Sequence, residues 1–301
     1  MYLYTVYGIK IASEIECPEL LEHRSGHPDL LLKINEISET LPGSQRVAKR
    51  WQVSQSSFQY NLENVARYRF VSPGQILISP AKNAGMEEVR LYLLGTILGA
   101  YLHYTKRPPL HAGAVVHQSQ AIAIAGQSGA GKSTLVTQLQ HRGHQVLSDD
   151  VAVITKNESG GFSVHPGFPR TKLWRDTLAH LQIDPTELIR DSSRNDKFHL
   201  KVREEFYKQP VPLKSLIFLE TCSDTTFTIE QLKPHSAVSY LIRDTYRPSM
   251  VKRFGNQTGH LKQCADIAAI VPCYSLRRPK NFSEIQKSVD LVLKTSIKNL
   301  L

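Results

Sequence analysis

The residues best suited to chemistry form a glycine-rich loop, Gly126-Gln127-Ser128-Gly129-Ala130-Gly131-Lys132-Ser133. It fits every position of the GxxxxGK[ST] pattern, with an apolar strand before it and a helix beginning within it. Glycines let successive backbone N–H groups converge on phosphate oxygens, and the helix start adds partial positive charge. The alternative, a fortuitous glycine turn, does not explain this context.

The loop predicts binding of a nucleoside triphosphate with magnesium, so we expect ATP and Mg²⁺ as cofactors. Lys132 would reach the β- and γ-phosphates, and Ser133 would supply an oxygen to the metal. The residues expected to hold the nucleotide are Gly126, Ser128, Gly129, Ala130, Gly131, Lys132, Ser133 and Thr134.

Two adjacent carboxylates, Asp149 and Asp150, follow the next predicted strand, Gln145 to Ser148. Like charge raises the proton affinity of such a pair and a nearby cation lowers it, so the two should behave differently. One could hold the metal through water while the other takes a hydroxyl proton. The alternative is a turn or capping pair, because Asp is common after strands. The preceding strand-loop-helix-strand order favours function.

The elements that position these residues predict an α/β fold in three regions. Residues 1–84 carry short β-branched and aromatic segments and are expected to form a small, mostly antiparallel β-domain. Residues 85–108 contain a linking helix from Glu87 to Tyr104, because apolar residues recur there at three-and-four spacing. Residues 109–301 are expected to form the domain that carries the loop.

Within that last region the pattern predicts a strand hairpin on each side of a helix that ends near Gly143. The first hairpin pairs 114–117 with 121–125, and the second pairs 151–154 with 162–164. Further strands are expected at 216–219, 226–229 and 273–276, and helices at 134–142, 237–243, 260–271 and 281–298.

Composition narrows the class of protein. The formal charge of +10 attracts phosphates, acidic peptides or nucleic acid. Dispersed aromatic residues and the lack of an RNP-like motif argue against nucleic acid. No apolar run reaches the roughly 18 residues of a membrane span, and the N-terminus lacks a secretory pattern, so we expect a cytoplasmic protein without membrane contact. The scattered cysteines, expected to be reduced and structural, are Cys17, Cys222, Cys264 and Cys273.

Three segments together resemble the bacterial HPr kinase/phosphorylase family: Leu110-His111-Ala112-Gly113, the glycine loop, and Leu147-Ser148-Asp149-Asp150-Val151. The resemblance is clearest over residues 108–155. It implies a P-loop, HPr-kinase-like C-terminal domain with a small, mostly β N-terminal domain. It also implies catalytic roles for Asp149 as base, for His111 in support of it and for Lys132. Asp150 would lie near the metal with Ser133, although the match leaves open which aspartate takes the proton.

Other segments, at residues 7–14, 165–174 and 274–279, resemble the shorter HPr-kinase-like proteins of peptide-modification gene clusters, which include lasso-peptide precursor kinases. This resemblance implies a serine kinase whose partner is a precursor peptide, with its C-terminal serine as acceptor, or a small protein. A homo-oligomer is compatible with it. Two alternatives stay open: a regulatory HPr serine kinase/phosphorylase, and a nucleotide-sensing module without catalysis.

The sequence departs from the regulatory family at one place. Where those enzymes carry an acidic segment that supplies a metal carboxylate, this chain has Gly167-Phe168-Pro169-Arg170-Thr171-Lys172, which argues against the reverse phosphorolysis. Arg170 and Lys172 could contact phosphates or an acidic peptide, or form a solvated basic loop. Three further cations could stabilise phosphate charge or could simply be surface residues, namely Lys197, Arg243 and Arg247.

Overall fold

The computed structural model of the 301-residue chain describes residues 1–24, 26–71, 74–190, 196–202, 204–279 and 284–297. The chain divides into two compact units, the first made of residues 1–107 and 249–257 and the second of residues 108–248 and 258–301. Both helices and sheets contribute to the architecture, so the predicted α/β class is confirmed. None of the helices in the described ranges is both long enough and apolar enough to cross a membrane.

The first unit is built on a nine-stranded sheet. Its strands are β1 (Tyr2–Val6), β2 (Ile9–Ser13), β3 (Leu21–Glu22), β4 (Leu30–Ile34), β5 (Gln45–Ala48), β6 (Trp51–Val53), β7 (Phe58–Leu62), β8 (Ala66–Val71) and β9 (Gln75–Pro80). The spatial order is β3-β1-β2-β4-β9-β8-β7-β6-β5. Neighbours pair antiparallel except that β4 runs parallel to both β2 and β9.

A helix follows this sheet and matches the predicted one. It comprises α1 (Met86–Tyr92), a π-helical turn (Leu93–Ile97) and α2 (Leu98–Tyr104). Periodicity alone could not reveal the π-helical turn, which adds a residue to one turn without interrupting the apolar face.

An aromatic cluster forms part of the core of the first unit. The rings of Phe58 and Phe70 stack with centroids 5.4 Å apart, and Tyr104 lies 4.6 Å from Phe70. Phe254 follows helix α6 (Ser249–Arg253), and its ring lies 5.5 Å from Phe58. A segment late in the sequence therefore completes the core of the first unit.

The second unit is built on an eight-stranded sheet. Its strands are β10 (Ala112–His117), β11 (Gln120–Gly126), β12 (Gln145–Ser148), β13 (Val153–Lys156), β14 (Phe162–His165), β18 (Val211–Cys222), β19 (Thr228–Gln231) and β20 (Cys273–Pro279). The order is β12-β10-β11-β18-β14-β13, with β20 beside β18 and β19 beside β20. The two central strands, β11 and β18, are parallel, and their apolar runs are buried, as strands covered on both faces require.

The hairpin before the glycine loop has a specific turn. Gln118 and Ser119 both take positive φ, at 48° and 61°, which matches the mirror-image turns that suit two-residue hairpin loops. The turn fixes the register of β10 against β11, and β11 delivers the chain into the loop.

The helices of the second unit are α3 (Lys132–His141), α4 (Arg175–His180), α5 (Pro234–Arg243), α7 (Gln257–Ile270) and α8 (Ile285–Ile297), with a 3-10 turn at Pro185–Glu187. Helix α3 begins two residues before the predicted start. Both ends of the predicted 281–298 helix lie outside the described residues, and α8 occupies the span between them.

A separate three-stranded sheet was not predicted. It contains β15 (Arg170–Trp174), β16 (Ile189–Arg190) and β17 (Lys197–Lys201), with β17 in the centre. Leu173 packs with Leu178 and Phe198 in a small core of its own. The interpretation of residues 170–172 as a solvated basic loop is therefore wrong, because alternate residues of this segment are buried in a strand.

Candidate functional site

The glycine loop joins β11 to α3 and owes its shape to three glycines. Gly126, Gly129 and Gly131 have φ of 150°, 86° and 92°, values that residues with a Cβ rarely adopt. A Cβ on Gly126 would lie 2.9 Å from the carbonyl oxygen of Leu219, so the loop also passes too close to β18 for a side chain. Gly131 is the N-cap of α3, which leaves the first amides of that helix facing the loop.

Lys132 is buried and turns back onto the loop. Its Nζ donates to the carbonyl oxygens of Gly126 at 2.8 Å and Gln127 at 3.1 Å, and lies 3.0 Å from Nε2 of His111. Burial lowers the pKa of Lys132 to about 8, against the opposing influence of Asp150 and Asp149. The protein therefore holds an ammonium group at the loop, and the nearby carboxylates compensate only part of its positive charge.

His111 lies between the lysine and the aspartate pair. Its Nδ1 donates to the carbonyl oxygen of Asp150 at 2.8 Å, so Nε2 is left to accept from Lys132. Burial, together with the charge of Lys132, lowers the pKa of His111. The imidazole is therefore neutral at neutral pH and ties the lysine to the backbone of Asp150.

The two aspartates point in different directions. Asp149 is buried, and its Oδ2 accepts from the backbone N–H of Lys172 at 2.8 Å. Its Oδ1 has no hydrogen-bond partner among the described residues. Burial, followed by the charge of Asp150, raises the pKa of Asp149, while Lys172 N–H and the Ser133 hydroxyl oppose the rise. Asp149 thus lies in a buried position near Ser133.

Asp150 instead lines the cavity. Its φ of 72° is left-handed, a conformation that Asp tolerates, and this change of backbone direction separates its side chain from that of Asp149. Its carboxylate lies 3.4 Å from Nδ1 of His111 and 3.5 Å from Nζ of Lys172. Burial alone would raise its pKa, but Lys172, His111 and Lys197 lower the pKa to about 2. Asp150 is therefore ionised at any physiological pH.

The cavity at this site has two lobes. The loop lobe, of about 390 Å³, is lined by the glycine loop and by Trp174, Asp176, Thr177, Arg278 and Ile285. The basic lobe, of about 430 Å³, is lined by Gln127, Lys172 and the segment 243–248. Four residues line both lobes, and we call them the junction: His111, Ser128, Asp150 and Lys197.

The predicted site residues are largely brought together here. Lys132, Ser133, Thr134, Gly129, Ala130 and Gly131 line the loop lobe, as do His111, Ser128 and Asp150. Asp149 lies beside this cavity rather than on its wall. The basic lobe is lined by Lys172, Lys197, Arg243 and Arg247. Arg170 instead packs over the ring of Phe168, and its Nη1 lies 3.3 Å from Nδ1 of His199.

Arg278 lines the loop lobe but was not among the predicted site residues, although it belongs to the segment 274–279. Strand β20 runs parallel to β18 and carries Arg278 to the loop, where its Nη2 donates to the carbonyl oxygen of Ala130 at 3.1 Å. The residue is 5% exposed, and burial lowers its pKa. Arg278 and Ala130 are 148 positions apart in the sequence, so only the strand pairing could reveal this contact.

A magnesium ion has candidate ligands at this site. Within the described ranges, His, Cys, Asp and Glu side chains do not gather in groups of three that could hold a metal. The oxygens near the loop include those of Ser133 and the aspartate pair, and magnesium usually completes its shell with waters and substrate phosphates. The unpartnered Oδ1 of buried Asp149 fits such a role, because a buried acceptor without a partner is unfavourable.

Parts of the chain are similar to known proteins. Residues 77–183 match the family model described as ScmC, SynChlorMet cassette protein ScmC. The chain is 36% identical over 64 residues to the HPr kinase/phosphorylase of Mycoplasmopsis pulmonis, and this match spans 21% of each protein. The solved Hpr(Ser) kinase/phosphatase of Coxiella burnetii aligns over 63% of this chain and 97% of that one, with 13% identity and a TM-score of 0.33. The sequence match confirms the resemblance to HPr kinase/phosphorylase that the motifs indicated.

Proposed function

We propose that this chain is an ATP- and Mg²⁺-dependent serine kinase that phosphorylates a precursor peptide or small protein. The reaction is assigned to the predicted P-loop domain, residues 109–301. The observation that carries the proposal is the junction. A phosphate-binding lobe and a second, basic lobe meet at His111, Ser128, Asp150 and Lys197, where a donor phosphate and an acceptor hydroxyl could face each other.

The loop suits the triphosphate. Phosphate oxygens are stronger acceptors than the carbonyl oxygens of Gly126 and Gln127, which Lys132 now contacts. Arg278 adds a second cation beside the loop at Ala130. Charge neutralisation by such groups supplies most of the rate in phosphoryl transfer, because its transition state is loose.

We propose that Asp149 and Ser133 hold the magnesium, directly or through water. This exchanges the roles expected from the sequence. Asp149 is buried near Ser133, whereas Asp150 lines both lobes, so Asp150 is the better placed of the two to meet an acceptor hydroxyl. When bound, the ion would neutralise charge on the β- and γ-phosphates.

Asp150 is then the candidate base. A base must come within hydrogen-bond distance of the proton it takes, and Asp150 lines both lobes. Its low pKa makes it a weak base but keeps it ionised, and in a loose transition state orientation of the hydroxyl matters more than early proton removal. The new bond joins the acceptor oxygen to the γ-phosphorus, the bond to the β–γ bridging oxygen breaks, and the hydroxyl proton passes to Asp150.

His111 acts by holding two neighbouring groups in place. Its Nδ1–H holds the backbone carbonyl of Asp150, and its Nε2 accepts from Lys132. These two contacts keep the base and the phosphate-binding cation at a fixed separation. His111 therefore supports Asp150 without itself taking the proton.

The acceptor is proposed from the basic lobe and from the relatives. Lys172, Arg243 and Arg247 line that lobe, which suits a peptide with acidic character or a nearby terminal carboxylate. The matched family is described as a cassette protein, which supports a substrate encoded with this chain. The C-terminal serine of a lasso precursor peptide is the acceptor that we favour.

Two other functions are alternatives to the proposed peptide kinase. The sequence match to HPr kinase/phosphorylase favours a regulatory enzyme that acts on HPr. The weak basicity of Asp150 and the buried position of Asp149 are also compatible with a module that binds nucleotide without turnover.

One experiment separates these functions. The purified chain is incubated with MgATP and either HPr or a peptide encoded beside its gene, and each acceptor is examined by mass spectrometry. We expect the parent protein to add one phosphoryl group to the peptide and the variant Asp150→Asn to add none. Labelling of HPr alone would favour the regulatory enzyme, binding of MgATP without transfer would favour the sensing module, and no binding of MgATP would overturn the proposal.

A further inference from the structure

Part of the loop lobe lies outside the junction. The junction residues mark the end at which the γ-phosphate must lie if the proposed function is correct, since they also line the basic lobe. Trp174, Asp176, Thr177 and Ile285 line the loop lobe but not the basic lobe, and Nζ of the junction residue Lys197 reaches the indole of Trp174. A nucleotide whose terminal phosphate lies at the junction can therefore place its nucleoside among these four residues.

Trp174 is held in this position by its surroundings. It is the last residue of β15, one position after Leu173, which is buried in the small core with Leu178 and Phe198. Alternation along the strand therefore turns the indole to the opposite face, where it is 37% exposed. An indole this exposed beside a cavity is unusual, because Trp is highly buried on average.

The position of Trp174 relative to the loop is also fixed. Helix α4 begins directly after it, and Thr177 Oγ1 of that helix lies 3.2 Å from Thr134 Oγ1, in the first turn of the helix that follows the loop. Ile285, buried at the start of α8, lines the same lobe. The indole and Ile285 thus give the lobe two apolar side chains, as a flat, apolar ring needs.

We propose that Trp174 is the platform on which the nucleobase stacks. Lys197, its antiparallel strand partner, places Nζ 4.8 Å from the centre of the indole ring, so the ring already attracts a cation and retains exposed surface for a base. Stacking on an aromatic side chain depends on the area of the base, so the platform favours purine over pyrimidine nucleotides. This inference rests on the proposed function and adds the nucleoside subsite to it.

The test compares three ligands, MgATP, MgCTP and magnesium tripolyphosphate, by calorimetry on the parent, Trp174→Leu and Trp174→Phe. Tripolyphosphate occupies the loop without a base. We expect Trp174→Leu to weaken MgATP about tenfold, to remove most of its advantage over MgCTP, and to leave tripolyphosphate within about twofold. Trp174→Phe keeps a stacking ring and should stay close to the parent.

Tryptophan fluorescence gives a second readout. The chain has two tryptophans, and Trp51, which is buried in the first unit, serves as internal reference. We expect MgATP to change the emission of the parent and not that of Trp174→Phe.

Unchanged MgATP affinity in Trp174→Leu would overturn the platform and leave the kinase proposal intact. An equal loss of tripolyphosphate binding in that variant would also overturn it, because the ring would then shape the loop rather than the nucleoside subsite. Failure of the parent to bind both MgATP and tripolyphosphate would instead overturn the proposed function and, with it, this inference.

Discussion

Nζ of Lys132 lies 3.0 Å from Nε2 of His111, so the phosphate-binding cation and the imidazole share a hydrogen bond. The direction of this bond is fixed by Nδ1 of His111, which donates to the carbonyl oxygen of Asp150. Protonation of the imidazole would place two positive charges in contact. The nucleotide-free site is therefore most stable with a neutral histidine and a charged lysine.

Nucleotide binding should take up a proton above pH 8. Lys132 has a pKa of about 8 in the nucleotide-free protein, lowered mainly by burial, and phosphate oxygens will raise it again. Below pH 8 the lysine is charged before and after binding, whereas above pH 8 it must gain a proton. We expect affinity for MgATP to fall by up to about tenfold for each pH unit above 8.

Calorimetry at pH 8.5 in buffers of different ionisation enthalpy measures this proton directly. Lys132→Arg is the control, because arginine stays charged throughout this range and any binding it retains should lack the pH step. Equal binding heats in all buffers at pH 8.5 would contradict the prediction.

Asparagine substitutions should affect the two aspartates in opposite ways. The folded pKa of Asp149 is raised, so its ionised form disfavours the fold at neutral pH, and Asp149→Asn should keep or increase the free energy of unfolding without magnesium. The folded pKa of Asp150 is lowered to about 2, so its charge stabilises the fold. Asp150→Asn should lose on the order of 1–2 kcal/mol at pH 7.

The contribution of Asp150 is fully present above about pH 4 and is lost as the pH falls toward 2. The difference between Asp150→Asn and the parent should therefore shrink over that interval, as measured by denaturant unfolding. Asn also tolerates the left-handed backbone of Asp150. Both variants should lose phosphoryl transfer, so a stable but inactive Asp149→Asn would identify a site residue rather than a structural one.

Two glycines of the loop offer a matched comparison. Alanine at Gly129, with φ of 86°, meets no heavy atom within 4 Å, so it adds only backbone strain of about 1–2 kcal/mol. Alanine at Gly131 has similar strain, but its Cβ would also clash with Nη2 of Arg278. Gly131→Ala should therefore be the more destabilising and should weaken MgATP more than Gly129→Ala.

The variant Gly131→Ala/Arg278→Ala isolates the steric part. We expect the double variant to be less destabilised than the sum of the two single variants, as measured by thermal unfolding. Additive effects would mean that Arg278 does not contact the loop in solution.

Asp244 should anchor the basic lobe. Its fully buried carboxylate accepts from Arg243 at 2.8 Å and from Nε2 of Gln127 at 2.7 Å. Asp244→Asn should lower the free energy of unfolding by about 1–3 kcal/mol, less than for a wholly buried pair because Arg243 is partly exposed. Glu220→Gln, which removes the solvent-facing partner of Arg243, should change it by less than about 1 kcal/mol in the same denaturant titration.

Local pattern was enough to predict the elements around the loop. Apolar runs identified β11 and the central part of β18, because strands buried on both faces lack alternation. The helix from Met86 to Tyr104 follows equally from its spacing. These features depend on neighbouring residues, which the sequence displays directly.

The features that escaped prediction depend on distant contacts or on backbone conformation. The side chains of Asp149 and Asp150 point in different directions because the backbone of Asp150 is left-handed. The residue type alone does not reveal that conformation. Arg278 and Trp174 reach the loop only through the pairing of β20 with β18 and of β15 with β17. Charged residues and prolines around Arg170 concealed β15, since they are also typical of loops.

The return of residues 249–257 to the first unit affects any attempt to divide the protein. Removing residues 1–107 would deprive Phe254 of the rings of Phe58 and Tyr104, and would leave buried Met250 and Val251 without their unit. A fragment that starts at residue 108 would then expose an apolar segment that is prone to aggregation. Because a single cut in the chain cannot separate the two units, they have to be expressed and engineered together.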